Sequence, residues 1–270
     1  MTGDERRQQL SEVLARRGYA DLSLLVSELG VSESTVRRDL SLLEEEGIVR
    51  RTHGGAVFVS DRFVALNYAA REVTAVPEKE AIGRVAAGLL QDGQTILLDG
   101  GTTTFQVARN LLSRTMQVVT NSLPIANLLH SAPNIELIFI GGYIYPRTGV
   151  ALGPYAQQML SSLHVDAAVM GVAGITEDAL YNANVLMVEA ELQMMRSAGE
   201  VILVADSGKF GKRALVRLGG WEMVDRVVCD SALEGRWQDA VRNAGAELIL
   251  AGVEEATGVG ARSAGAGGQG

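Results

Sequence analysis

The sequence predicts two domains of different class: a small α+β winged helix-turn-helix domain, followed by a larger α/β domain. In the first 60 residues, helical spacing of apolar residues occurs three times and is followed by two short β-type runs around a glycine pair. From residue 78 onward, apolar strand-like runs alternate with helices, a pattern typical of a largely parallel sheet covered on both faces. A chain of 270 residues has room for both domains.

Changes in pattern along the chain predict the domain boundaries. We expect the winged helix in residues 1–57, a linker in 58–76, the α/β domain in 77–253 and a disordered tail in 254–270. The linker lacks clear periodicity, leaves room for helical parts and ends at a proline, and the tail is rich in glycine, alanine and serine.

The composition limits the functional class. A net charge of −8 argues against a general polyanion binder, and the single cysteine cannot form an internal disulfide. No apolar run reaches the ~18 residues that a membrane span needs, and no secretory signal pattern opens the chain, so we expect no membrane association and a cytoplasmic protein. The three histidines lack metal-ligand spacing and no nucleotide-binding loop is present, so we expect no metal and no cofactor.

The helix-turn-helix is predicted element by element. Arg6–Arg17 and Leu22–Leu29 have apolar residues in helical phase, and Gly30–Ser32 suits the tight turn between two helices. Ser32 is a good N-cap for a third helix. The apolar face of that helix is formed by residues at i, i+4 and i+7: Val36, Leu40 and Leu43.

The polar face of the third helix predicts DNA recognition. Two adjacent arginines flanked by short hydroxyl side chains can bind guanine edges and phosphate oxygens in a major groove. After Gly47, Ile48–Arg51 and Ala56–Val59 are predicted to pair as a β-wing that meets the DNA backbone or minor groove. The candidate DNA-binding residues are Ser32, Ser34, Thr35, Arg37, Arg38, Ser41, Arg50, Arg51 and His53.

Overall charge does not support this interpretation, because residues 1–60 hold eight arginines and no lysine against ten acidic residues. The hypothesis depends instead on clustering, since the arginines occur as four adjacent pairs. A solvated arginine face on a helical bundle is the structural alternative.

In the larger domain, polar residues and glycines collect where predicted strands end, which is the ligand-binding edge of an open α/β sheet. Thr102, Thr103 and Thr104 precede or open a helix expected to run to Leu112, an arrangement that binds phosphate, and Lys209 would offset anionic charge. The alternative is that each glycine serves a tight turn and Lys209 is solvated. The candidate effector-binding residues are Asp99, Gly101, Thr102, Thr103, Thr104, Asn121, Ser122, Gly141, Gly142, Gly171, Gly174, Glu191 and Lys209.

Both halves resemble the DeoR family of bacterial transcriptional regulators. The N-terminal match lies in VSESTVRRDL (Val31–Leu40) and RTHGGA (Arg51–Ala56), and the C-terminal match includes LLDGGTTT (Leu97–Thr104) and ADSGKFG (Ala205–Gly211). Gly208 departs from the serine that the family commonly has. The resemblance implies a regulator, most often a repressor of a sugar-catabolism operon, that binds operator DNA as a dimer or tetramer and is relieved by a phosphorylated sugar.

The resemblance also implies that the second domain is similar in fold to ribose-5-phosphate isomerase and coenzyme A transferases. The isomerases carry acidic residues where this chain has Met170–Gly174, and proton transfer between sugar carbons needs such a carboxylate. Glu191 alone is a poor substitute. We therefore expect no catalytic residues and no enzyme activity. The competing class is a phosphosugar isomerase or transferase with an appended DNA-binding domain.

Overall fold

The computed structural model describes residues 3–45, 49–52, 54–58, 68–72 and 74–253. The predictions for Gly47, Ile48, His53 and Val59, and those for the first nine residues after Phe58 and for the tail 254–270, lie outside these residues.

The described part of residues 3–58 is a winged helix-turn-helix, as predicted. Its sheet has the order β1-β3-β2 and both pairings are antiparallel. The first strand was not predicted, because a three-residue strand shows too little alternation to be detected from sequence. The elements are α1 Gly3–Arg17, β1 Tyr19–Asp21, α2 Leu22–Leu29, α3 Glu33–Glu45, β2 Val49–Thr52 and β3 Gly55–Phe58.

Local chemistry sets the limits of these helices. Asp21 accepts a hydrogen bond from the backbone N–H of Leu24 and so caps α2, and Gly30 ends that helix in the left-handed region at φ 63°. The predicted apolar face of α3 is confirmed, with Val36, Leu40 and Leu43 all buried in one core with α1 and α2.

Asp39 changes the interpretation of one arginine pair. It lies on α3 with only 2% of its surface exposed, and it accepts hydrogen bonds from Nε and Nη2 of Arg6 on α1. A buried carboxylate needs such a partner. Arg6 therefore serves to hold α1 against α3, which the clustering of arginines in the sequence did not indicate.

The segment expected to be a linker contains a helix. α4, Tyr68–Glu72, lies inside the range 58–76, and α5, Val76–Leu89, begins at the last residue of that range. The backbone N–H of Tyr68 donates to the carbonyl of Arg147, so α4 is bonded to the larger domain. The exact boundaries of the domains stay a prediction.

Within residues 74–253, the strand order β6-β5-β4-β9-β12-β14-β15 forms one seven-stranded sheet in which every neighbouring pair is parallel. A hairpin, β7-β8, and a small sheet, β10-β11-β13, lie beside it. The strands are β4 Thr95–Leu98, β5 Met116–Thr120, β6 Ile135–Phe139, β7 Tyr143–Tyr145, β8 Val150–Leu152, β9 Val165–Met170, β10 Gly174–Ile175, β11 Leu180–Asn182, β12 Ala198–Val204, β13 Val216–Gly219, β14 Arg226–Asp230 and β15 Glu247–Ala251.

Helices cover both faces of the sheet, as the apolar strands predicted. On β4, Ile96 and Leu98 pack into one core while Leu97 packs into the other, because successive side chains point to opposite faces. No helix in the described part of the chain has the length and apolar character to cross a membrane. The remaining helices are α6 Thr102–Arg109, α7 Leu123–Leu129, α8 Pro154–Ser161, α9 Val185–Arg196 and α10 Gly235–Asn243.

Two features of these helices differ from the sequence prediction. The helix after β4 was expected at about Thr104–Leu112, but α6 runs from Thr102 to Arg109, so all three threonines form its first turn. α8 and α10 were not predicted, because they are short and their apolar residues repeat too few times to give a clear period.

The direction of the strand order reverses at β4. From there the chain adds β5 and β6 on one side and then returns to add β9, β12, β14 and β15 on the other. In such sheets a crevice opens at the carboxyl ends of the two strands that flank the reversal. Here those ends lead into Asp99 and Gly171, and the backbone N–H of Gly171 donates to Oδ2 of Asp99 at 3.2 Å.

Gly100 is required by close packing at this crevice. A Cβ atom at residue 100 would lie 2.0 Å from Cγ1 of Val150. We expect Gly100→Ala to lower the melting temperature by the equivalent of about 1–3 kcal/mol, the usual cost of overpacking. Gly88→Ala is the control, because a Cβ there meets no atom within 4 Å. Equal melting temperatures for the two variants would contradict the packing argument.

Candidate functional site

The crevice at the strand reversal is a pocket built by several separate elements. The loops after β4 and β9, the end of β12, the small sheet, α9, α4 and α5 all contribute to its walls. Its lining residues are Arg71, Lys79, Asp99, Gly100, Gly101, Thr102, Thr103, Gly171, Val172, Asn182, Met187, Val204, Ala205 and Lys209.

One wall is the N-terminus of α6. Thr102 and Thr103 line the pocket, and in the described residues no hydrogen bond involves either hydroxyl group. Thr104 has a different role, because its hydroxyl accepts from the backbone N–H of Gly101 at 2.8 Å and donates to the carbonyl of Asp99 at 2.6 Å. Thr104 thus holds the loop in shape, while the first two threonines present donors to the pocket.

Two carboxyl groups lie in or beneath the pocket. Burial raises the pKa of Asp99, although backbone hydrogen bonds from Gly171 and Gly100 oppose that shift. Burial, together with the nearby charge of Asp99, raises the pKa of Glu191 well above its usual value. Asn182 donates its amide N–H to Oε1 of Glu191 at 2.5 Å, whereas Oε2 is buried with no partner in the described residues.

Three cationic side chains line the same pocket. Burial lowers the pKa of Lys79 to about 8, and its Nζ donates to the backbone carbonyls of Arg71 and Thr74. Burial also lowers the pKa of Arg71, while the charges of Asp99 and Glu191 raise it. Lys209 lies in the short 3-10 turn after β12, as its strand-end position predicted. The pocket therefore offers cations and hydroxyl donors to an anion, and carboxyl groups to neutral hydroxyls.

The structure brings together about half of the predicted effector-binding residues. Asp99, Gly101, Thr102, Thr103, Gly171 and Lys209 line the pocket, and Glu191 lies next to it through Asn182. Others do not line it, because their strands end further along the sheet or because they serve packing. These are Thr104, Asn121, Ser122, Gly141, Gly142 and Gly174.

The residues outside the pocket have structural contacts of their own. The Asn121 amide donates to the carbonyl of Ala151, and Ser122 caps α7 through the backbone N–H of Ile125. A Cβ at Gly142 would lie 2.7 Å from the carbonyl of Leu152, and one at Gly174 would lie 2.5 Å from the carbonyl of Lys212. Close approach of a neighbouring backbone carbonyl, rather than a tight turn or a ligand, requires glycine at these two positions.

Sequence reasoning missed three polar pocket residues, Arg71, Lys79 and Asn182. Lys79 carried a weak signal, because it is one of three lysines and follows Pro77 at a helix start. Arg71 carried none, since it lies in a stretch without periodicity. In the described part of the chain, no group of three histidine, cysteine, aspartate or glutamate side chains is arranged to hold a metal ion.

A second candidate site is the outer face of α3. Ser34, Arg37 and Arg38 are exposed there, as predicted. Arg37 donates from Nε and Nη2 to Oε1 of Glu33, an i,i+4 ion pair on the same helix. Arg38 has no hydrogen bond or ion pair within the described residues, and it lines a groove with Arg6, Arg7, Ser34, Thr35, Asp39 and Leu42.

The wing is bonded to this helix. Nη1 of Arg51 donates to the hydroxyl of Ser41 at 2.6 Å, and that hydroxyl donates to the carbonyl of Arg37 at 3.0 Å. The backbone N–H of Arg51 also donates to Glu44. At the start of α3 the Ser32 hydroxyl accepts from the backbone N–H of Thr35 at 3.4 Å, which agrees with its predicted capping role. Helix and wing therefore present one continuous polar surface.

A winged helix joined to an α/β domain with a polar pocket defines a ligand-responsive regulator of transcription. The family model of the DeoR-like helix-turn-helix domain matches residues 6–62. The family model of the DeoR C terminal sensor domain matches residues 74–231, which is more than half of the chain. The chain belongs to the DeoR family, as its sequence motifs predicted.

Curated relatives match over nearly their full length. The HTH-type transcriptional repressor CsqR of Escherichia coli is 35% identical over 246 residues, covering 89% of this chain and 94% of the relative. The glycerol-3-phosphate regulon repressor of E. coli is 33% identical and covers 86% and 92%. The HTH-type transcriptional repressor GlcR of Bacillus subtilis is 31% identical and covers 93% and 97%.

Among solved structures, ribose-5-phosphate isomerase A from Neisseria gonorrhoeae is distantly similar, with 11% identity, a TM-score of 0.37 and coverage of 50% of this chain and 53% of that one. This similarity carries no argument about activity. The relatives named above are repressors of transcription rather than enzymes, which confirms the expected class.

The buried carboxyl of Glu191 makes stability depend on pH. Because the pKa of Glu191 is raised in the folded state, the folded protein keeps a proton on this carboxyl at pH values above the ordinary glutamate pKa, where the unfolded chain has lost it. The contribution of Glu191 to stability therefore falls as the pH rises through that range. We expect Glu191→Gln to raise the melting temperature at pH 8 and to change it little at pH 4.

Thermal unfolding across this pH range measures the effect. Glu189→Gln is the matched control, because Glu189 lies on the same helix and is exposed. A Glu191→Gln variant that is less stable than the native protein at pH 8 would contradict the argument.

Proposed function

We propose that the protein is a sequence-specific repressor of a carbohydrate-related operon and that a phosphorylated sugar or related anionic metabolite relieves repression. The observation that carries the DNA-binding half is the exposed face of α3, where Arg38 has no hydrogen bond or ion pair within the described residues and where Ser41 is bonded to Arg51 of the wing. The observation that supports the effector half is the pocket at the strand reversal, which combines cations, helix N–H groups and carboxyl groups.

The proposed DNA contacts follow from side-chain chemistry. An arginine can donate two parallel hydrogen bonds to a guanine edge, and short hydroxyl side chains such as Ser34 and Thr35 reach phosphate oxygens. We expect Arg50 and Arg51 to contact the backbone or the minor groove from the wing. Since one winged helix covers a single half-site, two or more copies of the chain would bind repeated half-sites as a dimer or tetramer.

The proposed effector has two chemically different ends. Its phosphate would lie at the N-terminus of α6, near Thr102 and Thr103, where Lys79 and Lys209 offset its charge. Its hydroxyl groups would donate to Asp99, a buried acceptor at the end of β4 that is hydrogen-bonded to Gly171 after β9. Related proteins include one named as a glycerol-3-phosphate regulon repressor and one named as a putative aga operon repressor, which supports a small phosphorylated metabolite.

Binding can change DNA affinity only if the effector has different affinities for the DNA-bound and free arrangements of the protein. As a regulator, the protein would act in the compartment that holds the chromosome, which is the cytoplasm in bacteria.

The DNA-binding assignment predicts that Arg38→Ala weakens binding to an operator selected from a random DNA library. The loss of a specific base contact amounts to about 1–3 kcal/mol, or roughly a 5- to 150-fold weaker affinity. Arg236→Ala is the control, because Arg236 is exposed on α10, outside the winged helix. The measurement is a gel-shift titration with competitor DNA, and unchanged specificity in Arg38→Ala would remove this arginine from the interface.

The effector assignment predicts that Thr103→Ala and Lys209→Ala each weaken effector binding by about 5- to 150-fold, because each removes a donor to the anion. The probes are glycerol 3-phosphate, ribose 5-phosphate and glucose 6-phosphate, each beside its unphosphorylated counterpart, in a thermal-shift screen. A ligand at 100 times its dissociation constant stabilises the native fold by about 2.7 kcal/mol. Ser161→Ala is the control, because this exposed serine lies at the end of α8, outside the pocket. Equal shifts in all variants would contradict the site.

A further inference from the structure

α4, the short helix in the segment between the two domains, contributes a side chain to the effector pocket. Arg71 lines that pocket together with Asp99 and Lys209. The residue as a whole is half-buried, but its Nε and Nη2 atoms are enclosed. A residue expected to be part of a linker therefore lies where the effector is proposed to bind.

The guanidinium of Arg71 is incompletely satisfied. In the part of the chain that the structure describes, neither Nε nor Nη2 has a hydrogen-bond partner, and no ion pair joins Arg71 to Asp99 or Glu191. Buried charged donors without an acceptor are costly and therefore rare. Two enclosed guanidinium nitrogens at a polar pocket, with no partner among the described residues, indicate that their acceptor is a ligand.

The geometry of these two donors suits one kind of ligand. Nε and Nη2 form one edge of the guanidinium plane, and this edge donates two parallel hydrogen bonds to the oxygens of a phosphate or a carboxylate. Asp99 and Glu191 contribute negative charge nearby, and this stabilises the cation when no other anion is bound. Two oxygen atoms of a phosphate group can accept both of these parallel hydrogen bonds.

The backbone of α4 is tied to the same pocket. Lys79 Nζ donates to the carbonyls of Arg71 and Thr74, and the Tyr68 N–H donates to the carbonyl of Arg147. The guanidinium of Arg71 also lies over the Tyr68 ring, with its carbon 5.9 Å from the ring centroid. Since Lys79 itself lines the pocket, the position of α4 depends on two cationic residues of the effector site.

We propose that Arg71 binds the anionic group of the effector through Nε and Nη2, so that α4 forms part of the effector site and transmits occupancy to the winged helix. This inference rests on the proposed function, because it assumes an anionic effector in this pocket. Residues 59–67 are all that separate α4 from β3, the last described strand of the winged helix. A change in the groups that bind Arg71 therefore acts on α4, which is the described helix that follows the DNA-binding domain in the sequence.

The first test compares effector affinity in Arg71→Gln, Arg71→Lys and Arg236→Gln, all in the full chain. The probe is whichever of glycerol 3-phosphate, ribose 5-phosphate and glucose 6-phosphate stabilises the native protein most, and titration calorimetry gives its affinity. Loss of a charge-assisted bidentate contact should weaken binding about 10- to 100-fold in Arg71→Gln. Arg71→Lys keeps the positive charge but loses the two parallel donors, so its affinity should fall between those of the native protein and Arg71→Gln. The affinity of Arg236→Gln should stay within about twofold of the native value.

The second test separates binding from transmission. It measures operator affinity with no probe and with a saturating concentration of the same probe. Thr103→Ala should regain the full native response at saturation, because it only weakens binding. Arg71→Gln should keep a reduced response even when saturated, because the link between ligand and α4 is gone. Arg71→Lys provides the same reading if Arg71→Gln does not fold.

The outcomes are distinguishable. Native-like affinity in Arg71→Gln, or weakened affinity with a full response at saturation, overturns the inference and leaves the proposed function intact. A native protein that responds to none of the three phosphates overturns both. Weakened affinity together with a reduced saturated response supports the inference.

Discussion

The reversal of strand order at β4 is the constraint on which the larger domain depends. Because all seven main strands are parallel, their carboxyl ends lie at one edge, and the reversal separates the loops after β4 and β9 enough to leave a crevice. The hydrogen bond from Gly171 to Asp99 crosses that crevice. Close packing of Gly100 against Val150 then fixes the loop that leads into α6, so Thr102 and Thr103 at the helix start face the pocket.

Several ionisable groups in and beneath the pocket are buried, and this has an energetic consequence. Burial raises the pKa values of Asp99 and Glu191 and lowers those of Lys79 and Arg71, which shows that each group is less well solvated than it would be in water. A protein that only had to fold would gain from apolar side chains at such positions. Groups retained at this cost are typical of sites where a ligand completes their hydrogen bonds.

In the winged helix, by contrast, the buried carboxylate is already paired within the protein. Asp39 is enclosed between α1 and α3 and both of its oxygens accept from Arg6, so this ion pair fixes the angle at which α3 is presented. Arg38, which precedes Asp39 in the chain, is exposed and has no hydrogen-bond or ion-pair partner in the described residues. Adjacent residues on one helix therefore divide structural and recognition roles according to the face on which they lie.

The sequence by itself determined the domain classes, most of the helices and main strands, and the family. These follow from local signals, namely the spacing of apolar residues, helix caps and glycine turns, which depend on residues close together in the chain. Tertiary structure alone decided that Arg6 pairs with Asp39, that Asn121 and Gly141 lie away from the pocket, and that Arg71 enters it. Such contacts join residues far apart in the chain, and their formation depends on burial and strand order rather than on any pattern within one segment.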